Sequence, residues 1–254
     1  MRAWGWPSQP PGVGKLMRAR ECRSGRRMLE GLRHGAPILT SVLTLLVAAG
    51  AAGPVVIEDW TGPKVGTTGI PPGWEKQRWG NPQYDFAVVE DGGRKVLHLK
   101  SAQDSSNISK EIKGKVHLKD TPVLEWTWKV VTLPRGGDSR RKETDDQAAQ
   151  VYVTWPRFPE TVRSQVIGYV WDTTAPAGAV VKSQKTGTVT YVIVRSGPSE
   201  LGKWITERRN VLEDFKKIYG GTPEDPGILS VGIDSDDTGS SAESYMGTIR
   251  FVAP

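Results

Sequence analysis

Cysteine and histidine, on which many catalytic and metal sites depend, are scarce in this sequence of 254 residues. Cys22 is its one cysteine, and His98 and His117 are the histidines beyond residue 51. A domain formed after residue 51 therefore has no disulfide, thiolate metal site or cysteine nucleophile. The two histidines are far apart, and no serine lies in a nucleophile-elbow context. This argues against a Ser-His-Asp triad and against a histidine-rich zinc site.

An excess of basic charge is also lacking once the first 51 residues are set aside. The whole chain has 34 Lys and Arg, 28 Asp and Glu, and a formal net charge of +6. Residues 1–51 contain eight of the basic residues and two of the acidic ones, which leaves 26 of each in the rest. A neutral domain has no overall positive field to hold a polyanion, so we expect no nucleic-acid partner.

The first 51 residues have the three parts of a secretory signal. A basic region ends at Arg33, an apolar stretch spans 36–47, and Ala-Gly-Ala at 49–51 fits a small-x-small cleavage site. The apolar stretch is shorter than the ~20 residues of a membrane-spanning helix. Met17 and Met28 are candidates for the true translation start, because the Pro- and Gly-rich residues near the N-terminus resemble no signal. We expect a leader over 1–51, export to the periplasm or the exterior, and membrane contact only through this leader if it stays uncleaved.

After the leader, apolar and polar residues mostly alternate with period two, which is the signature of β-strands. Clusters of Gly, Pro, Asp and Ser separate the segments. We therefore expect an all-β domain over 54–254, a two-sheet antiparallel β-sandwich or jelly roll with one helix. The predicted strands are 55–60, 84–90, 95–100, 106–112, 123–131, 148–155, 165–171, 189–196, 228–234 and 247–252.

One segment has helical rather than strand spacing. Asn210 can cap its N-terminus, with Glu213 reaching back to complete a capping box. Val211, Phe215 and the residues at 218 and 219 fall on one face, and Gly220 suits the C-terminal end. We expect this helix to cover one open edge or end of the sandwich.

Several motifs in a fixed order resemble one bacterial family. They are Pro-Gly-Trp at 72–74, Leu-Glu-Trp-Thr-Trp-Lys-Val at 124–130, Asp-Asp-Gln-Ala-Ala-Gln-Val-Tyr-Val at 145–153, Tyr-Val-Trp at 169–171 and Asp-Ser-Asp-Asp-Thr at 234–238. The chain from about 74 to 251 thus resembles the family called domain of unknown function 3047. The resemblance implies a secreted or periplasmic protein and no particular function. The final strand at 247–251 is also similar to the last strand of carbohydrate-binding sandwiches, so the fold is expected to be carbohydrate-binding-module-like.

Acidic residues concentrate at the ends of two predicted strands. Asp145 and Asp146 begin one strand, and Asp234, Asp236 and Asp237 end another. Neighbouring carboxylates repel each other unless something neutralises them. Calcium takes about six to eight oxygen ligands from such loops, so Asp234, Asp236 and Asp237 are candidate calcium ligands. Turn formation with arginine neutralisation (Arg140, Arg141 or Arg209) and sugar binding or catalysis stay open as alternatives.

Tryptophan is abundant, and eight of the ten lie beyond residue 51. Trp126 and Trp128 share one face of a strand with leucine and valine, which is typical of a core. Tryptophans near strand ends can instead form platforms on which sugar rings stack. Trp79, Trp155 and Trp171 are the candidates, flanked by Asp145, Asp146 and Arg209.

These observations favour an exported, non-catalytic binding protein whose ligand is a glycan or another cell-envelope component. Two alternatives stay open. One is a glycan-active enzyme, in which Asp146 with Glu207 or Asp236 would form the carboxylate pair. The other is a structural envelope protein that binds a partner through a sheet edge.

Overall fold

A computed structural model of the protein describes residues 52–254. The predicted leader, with Cys22, Met17 and Met28, lies outside the described residues. Within 52–254, no helix is both long and apolar enough to cross a membrane.

Thirteen strands and two α-helices form the described part of the chain. The strands are β1 (Val55–Glu58), β2 (Glu75–Lys76), β3 (Asp85–Asp91), β4 (Arg94–Ala102), β5 (Ser105–Glu111), β6 (Val123–Thr132), β7 (Ala149–Trp155), β8 (Gln165–Asp172), β9 (Val180–Lys182), β10 (Val189–Ser196), β11 (Ile205–Asn210), β12 (Ile228–Asp234) and β13 (Ser241–Val252). The helices are α1 (Glu160–Arg163) and α2 (Val211–Tyr219), and Lys142–Thr144 forms a single 3-10 turn.

The strands form two sheets. Sheet A has the order β11-β6-β13-β4-β3, with β1 also pairing with β13, and sheet B has the order β2-β5-β12-β7-β8-β10-β9. This confirms the predicted two-sheet sandwich. One pair departs from the antiparallel pattern, since β10 runs parallel to β8. A parallel neighbour needs a crossover connection, and residues 173–188 supply it, with β9 added at the sheet edge.

All ten predicted strands are present, most with shifted ends, but three further strands were not predicted. Strands β2 and β9 contain two and three residues, too few to show a period. Strand β11 reads Ile-Thr-Glu-Arg-Arg-Asn, in which polar residues hide the alternation. The expectation of one helix is also corrected, because the four-residue α1 precedes α2.

Aromatic side chains fill the space between the sheets. Trp126 and Trp128 on β6 of sheet A contact Tyr169 and Trp171 on β8 of sheet B, with ring centroids 5.4 and 5.9 Å apart. All four side chains are buried. Each sits at an alternate position of its strand, so period two places every one of them on the inner face. Such pairs contribute about 0.5–1.5 kcal/mol beyond the burial of their area.

Helix α2 begins where the sequence predicts it. The side chain of Asn210 accepts a hydrogen bond from the backbone N–H of Glu213 at 3.1 Å. The carboxylate of Glu213 bonds to Lys216 instead of reaching back, so only half of the capping box forms. Phe215 packs on Trp155 of β7 at 4.6 Å, and the Tyr219 hydroxyl donates to a carbonyl of β8. The helix follows β11 of sheet A and packs on sheet B, which bridges the two sheets along this side.

Candidate functional site

The outer face of sheet B carries a group of uncharged polar side chains, here called the polar strip. Its members are Asn107 and Ser109 on β5, Ser230 on β12, and Gln150 and Tyr152 on β7. Their neighbours along the strands, Ile108, Val151 and Val231, belong to the core. Because successive side chains of a strand point to opposite faces of the sheet, the five polar side chains point outward.

Strand register brings the strip together in two adjacent rows. Ser230 lies opposite Ser109 on one side and Tyr152 on the other. Gly232 lies opposite Asn107 and Gln150 in the same way. The strip therefore spans three neighbouring strands and depends on residues more than a hundred positions apart.

Two strand glycines let the strip side chains lie close to the backbone. A Cβ on Gly232 would come within 2.6 Å of both Nδ2 of Asn107 and Oε1 of Gln150. A Cβ on Gly168 would come within 2.7 Å of the Tyr152 ring. Glycine inside a strand often marks such a close approach. The two glycines thus set where the amides and the phenol ring rest.

Part of the strip's hydrogen-bonding capacity is unused. Among residues 52–254, no hydrogen bond holds the carboxamide of Asn107 or the hydroxyls of Ser109 and Ser230. These side chains are also not among the fully enclosed polar atoms of the described part. Asn107 and Ser109 are half-buried and within reach of a ligand, whereas Ser230 is 8% exposed and can be reached only through a small opening.

Trp79 lies at the edge of this strip and is the predicted tryptophan that the structure leaves exposed, at 65%. Its position is fixed through the buried side chain of Gln77. Nε2 of Gln77 donates to the carbonyl of Trp79 at 2.9 Å and to that of Ser105 at 3.1 Å. Oε1 of the same side chain accepts the backbone N–H of Asn107 at 2.7 Å. One amide thus joins the Trp79 segment to the strand that carries the strip.

The two acidic groups predicted from the sequence meet at the end of sheet B. The buried carboxylate of Asp146 accepts the backbone N–H groups of Asp237 at 3.1 Å and of Thr238 at 2.7 Å. Carboxylate oxygens of Asp146, Asp236 and Asp237 all lie within 4.8 Å of one another. The five aspartates of the two groups, Asp145, Asp146, Asp234, Asp236 and Asp237, are here called the acidic loop. Ser105 donates to Asp234 at 2.9 Å and is joined to Trp79 through Gln77, so the acidic loop adjoins the Trp79 end of the strip.

Lys185, on the turn between β9 and β10, supplies the positive charge of the acidic loop. Its ammonium lies 2.6 Å from Asp237 and 3.9 Å from Asp236. Two of the three arginines proposed from sequence are engaged elsewhere, since Arg140 pairs with Asp138 and Arg209 pairs with Asp214. Sequence reasoning missed Lys185 because it lies about 50 residues from the carboxylates that it neutralises.

Burial raises the pKa of three carboxyl groups at this end of the sheet, those of Asp145, Asp234 and Asp237. Burial raises the pKa of Asp234 well above its usual range, and the nearby charges of Asp236 and Asp146 raise it further. Burial raises the pKa of Asp145 to about 6, against the lowering effects of a hydrogen bond from Gln147 and the charge of Lys185. Asp145 therefore changes its protonation state near pH 6, and Asp234 keeps its proton to a higher pH than an ordinary carboxyl group.

The donor set for a metal differs from the predicted one. We expected Asp234, Asp236 and Asp237, but Asp146 replaces Asp234 in the group with converging oxygens. Three carboxylates match the oxygen preference of calcium and supply fewer than the six to eight ligands that it usually takes. Lys185 already neutralises two of them. The residues fit a weak cation site that competes with this lysine.

Two predicted tryptophan platforms are corrected. Trp155 is buried against Phe215, and its indole N–H donates to the carbonyl of Glu224 at 2.8 Å. Trp171 is buried against Trp128, and its N–H donates to the carbonyl of Gly197 at 3.1 Å. Both rings point into the sandwich, on the face of sheet B opposite the strip. Neither offers a free ring face to a ligand.

Arg209 also lies away from the strip. Its guanidinium donates two hydrogen bonds to Asp214, at 2.9 and 2.6 Å, and Asp214 also accepts the hydroxyl of Tyr169. This network anchors α2 to the core. The ligand-binding role predicted for Arg209 is therefore replaced by a structural one.

The suggested catalytic carboxylates are only partly brought together. Asp146 and Asp236 are neighbours in the acidic loop. Glu207 instead lies on β11 of sheet A, where it binds Arg195 at 2.6 Å and accepts the indole N–H of Trp128 at 3.3 Å. Glu207 therefore shares no contact with Asp146 and does not complete a pair with it.

The sequence contains a signal for the strip that the prediction did not use. Strands β5, β7 and β12 each place polar residues at alternate positions between core residues, as in Ala-Gln-Val-Tyr-Val-Thr-Trp at 149–155. This alternation shows that an outer face is polar. It does not show which strands lie side by side, so the strip could not be assembled from it.

Comparison with solved structures finds several to which this chain is similar. A family 11 carbohydrate-binding module from Clostridium thermocellum, in complex with a β-1,3-1,4-mixed-linked tetrasaccharide, has 8% identity and a TM-score of 0.43, with 80% of this chain and 97% of that chain covered. A family 30 carbohydrate-binding module from Clostridium thermocellum has 13% identity and a TM-score of 0.40, with 80% and 98% covered. The K1 cleaved adhesin domain of Lys-gingipain from Porphyromonas gingivalis has 8% identity and a TM-score of 0.37, with 80% and 99% covered. Likeness at this level carries no argument about a ligand.

Comparison of the sequence with curated proteins finds no match. A family model does match, over residues 72–250, which is most of the chain and includes every strip residue and both acidic groups. The chain therefore belongs to the family described as "Protein of unknown function (DUF3047)".

Proposed function

We propose that this protein is a non-catalytic glycan-binding protein whose ligand lies along the polar strip, with one sugar ring stacked on Trp79. The observation that carries the proposal is the coupling through Gln77. Its amide links the backbone carbonyl of Trp79, whose indole is exposed, to the backbone N–H of Asn107, and the Asn107 carboxamide has no hydrogen-bond partner among the described residues.

The chemistry of the strip suits sugars. A sugar ring has an apolar C–H face that packs on an indole, and hydroxyl groups that need donors and acceptors in a plane beside it. Binding sites typically combine aromatic surface with a few placed polar groups. Asn107, Ser109 and Ser230 offer both donors and acceptors without a charge, which fits a hydroxyl-rich ligand.

The outer face of sheet A also carries aromatic rings, but these are covered by other side chains. Aromatic residues Trp204 and Tyr245 lie there too, but Arg94 and Lys129 lie over the Trp204 ring, while Tyr245 is stacked on His98 at 4.2 Å and also faces Lys129. Their ring faces are thus occupied by neighbouring side chains. Trp79, exposed at 65%, is the better stacking platform.

A second candidate function is a glycan-active enzyme. It is favoured by the raised pKa values of Asp145 and Asp234, because a general acid must hold its proton near neutral pH. However, Asp145 is only 3% exposed and is held by Ser183 and Tyr191. A substrate in contact with the strip would not touch it, so we place binding first. If the protein released reducing ends from a bound glycan, a glycan-active enzyme would become the favoured function.

The proposed place of action is the periplasm or the exterior. Its support is the leader sequence, with a basic region, an apolar stretch at 36–47 and a small-residue cleavage site. Mass spectrometry of the protein recovered from the native cells should find an N-terminus at residue 52. An intact leader on the soluble fraction would contradict export by cleavage.

The binding test uses a glycan array, followed by calorimetry with the glycans that bind. We expect Trp79→Ala to weaken binding by about tenfold or more, because it removes the stacking surface. We expect Asn107→Ala to weaken it by about three- to tenfold, the cost of a lost hydrogen bond.

The matched control is Phe158→Ala, which removes another exposed aromatic ring that is not part of the strip. It should bind glycans as the wild type does. The proposal fails if no glycan binds, or if Trp79→Ala and Asn107→Ala bind as tightly as the control.

A further inference from the structure

The connection between β7 and β8 exposes apolar side chains that nothing in the described chain covers. Residues 156–163 are exposed without interruption, and α1 within them has no buried residue. Phe158 is 87% exposed and Val162 is 72% exposed, the two highest values among the large hydrophobic side chains of the described part. Residues 156–164 are called the β7–β8 tip below.

Local hydrogen bonds hold the tip in one shape. The backbone N–H of Arg157 donates to the hydroxyl of Ser164 at 3.2 Å, which closes the base of the tip. The guanidinium of Arg163 donates to the carbonyl of Phe158 at 3.2 Å. The backbone N–H of Val162 donates to the carbonyl of Pro159 at 3.2 Å. The apolar side chains are thus presented outward instead of folding onto the sheet.

The tip itself carries more positive than negative charge. Arg157 and Arg163 flank the apolar side chains, and both are exposed. The tip's one acidic residue, Glu160, is paired with Arg78 of the β2–β3 connection at 3.2 Å. The tip and its neighbour Arg78 thus bring together three arginines and one carboxylate. The combination is a pair of exposed apolar side chains with an excess of positive charge beside them.

We propose that the β7–β8 tip docks on an anionic phospholipid bilayer. Phe158 and Val162 enter the boundary between headgroups and acyl chains. Arg157, Arg163 and Arg78 lie at the level of the phosphates, with their aliphatic stems along the apolar layer.

The size and shape of the tip favour a bilayer over a protein partner. A stable protein interface buries about 800 Å² on each side and centres on a packed pocket or flat patch. Two projecting side chains on a convex tip do not supply such an area. Insertion into a fluid interface needs no complementary pocket, and basic residues add attraction to anionic lipid.

The test places an environment-sensitive fluorophore on the tip of the full-length chain. Val162→Cys in a Cys22→Ser background is labelled with nitrobenzoxadiazole, and vesicles of phosphatidylcholine are prepared with or without phosphatidylglycerol. We expect a blue shift and brighter emission only with phosphatidylglycerol vesicles, and a loss of this response at high salt. Inorganic phosphate alone should leave the emission unchanged.

Two variants and a second label position separate docking from other causes. Arg157→Glu with Arg163→Glu should weaken the response at least about tenfold, since each basic residue contributes to attraction. Phe158→Ser should also weaken it about tenfold, through lost apolar burial. A label at Thr206→Cys, on the exposed face of sheet A, should stay water-like even if a retained leader binds the vesicles.

The proposal is overturned if the label at 162 stays water-like with both vesicles. It is also overturned if neutral vesicles give the same response, or if the label at 206 responds equally. The labels and variants leave Trp79 and Asn107 unchanged, so a failure of docking can be distinguished from a failure of glycan binding. Far-UV circular dichroism of each variant confirms that the comparison is between folded proteins.

Discussion

Single aspartates in this protein show that position, more than residue type, sets the proton affinity. Asp138 and Asp145 lie seven residues apart and both are buried. A hydrogen-bonded pair with Arg140 lowers the pKa of Asp138 to about 2. Asp145 meets only neutral donors at close range, and burial raises its pKa to about 6. The two groups should therefore make stability depend on pH in opposite directions.

For Asp145 the folded-state pKa lies above the usual 3.8. Its favourable contribution is therefore complete below about pH 4 and is lost as the pH rises through about 6. Asp145→Asn mimics the protonated form, because its amide oxygen can accept the hydrogen bond from Gln147 and its NH2 group can donate to the hydroxyl of Ser183. We expect this variant to match the wild type below pH 4 and to be more stable above pH 7 by about 3 kcal/mol at most. Urea unfolding across this pH range measures the difference.

Asp138→Asn is the matched control for this prediction. Since the pKa of Asp138 is lowered, its contribution is present above about pH 4 and is lost as the pH falls through about 2. This variant should be less stable than the wild type at neutral pH, with the difference shrinking in acid. A stability difference for Asp145→Asn that is the same at pH 4 and pH 7 would contradict the assignment.

At the scale of elements, the acidic loop exists because two strand ends are neighbours. Strand β7 pairs with β12, so the aspartates before β7 meet those after β12. The turn between β9 and β10 then brings Lys185 to the same end. The loop therefore depends on three segments that the sequence keeps far apart.

This arrangement predicts how calcium affects the protein. We expect added calcium and EDTA to leave the melting temperature of the wild type unchanged, because Lys185 already neutralises Asp236 and Asp237. Lys185→Met keeps the apolar stem and removes the charge, so the carboxylates repel each other. This variant should melt lower, and millimolar calcium should restore several degrees.

Lys142→Met is the control for the lysine substitution. Its ammonium lies 3.8 Å from Glu143 in an exposed pair, so its removal should change neither melting nor the response to calcium. If calcium raises the melting temperature of the wild type and EDTA lowers it, the loop is a true calcium site and the role given to Lys185 is wrong.

For the whole molecule, the aromatic layer between the sheets makes one cooperative unit. Trp128 of sheet A packs on Trp171 of sheet B, and Trp126 packs on Tyr169 in the same way. Each sheet thus contributes rings to a core that the two sheets share. Neither can lose its structure without exposing the shared rings.

Trp171→Ala should lower the free energy of unfolding by about 3–5 kcal/mol, because it leaves a large cavity between the sheets. Circular dichroism and tryptophan fluorescence should shift to the same lower denaturant midpoint. Trp79→Ala, which removes an exposed ring, should change stability by less than about 0.5 kcal/mol. Separate midpoints for the two probes would show that the sheets unfold independently.

Much of the fold could be predicted from local sequence. Period-two alternation located all ten predicted strands, and the capping residue Asn210 located α2. The prediction of β13 began at residue 247, six residues late, because its polar first half contains serines and glutamate. The candidate site was harder to predict from the sequence. Trp79, Trp155 and Trp171 all lie near strand ends in sequence, and only the strand register and the connections decide which of them is exposed.

By itself, the sequence determined the sandwich class, the helix and its cap, the absence of thiol chemistry beyond residue 51, and the acidic character of two strand ends. These properties depend on alternation, capping and composition, which act over a few neighbouring residues. Only the tertiary structure decided that Asp146 meets Thr238, 92 positions away, that Lys185 joins them, and that Trp79 adjoins the polar strip. Pairing between distant strands places these groups together, and local preferences do not specify which strands become neighbours.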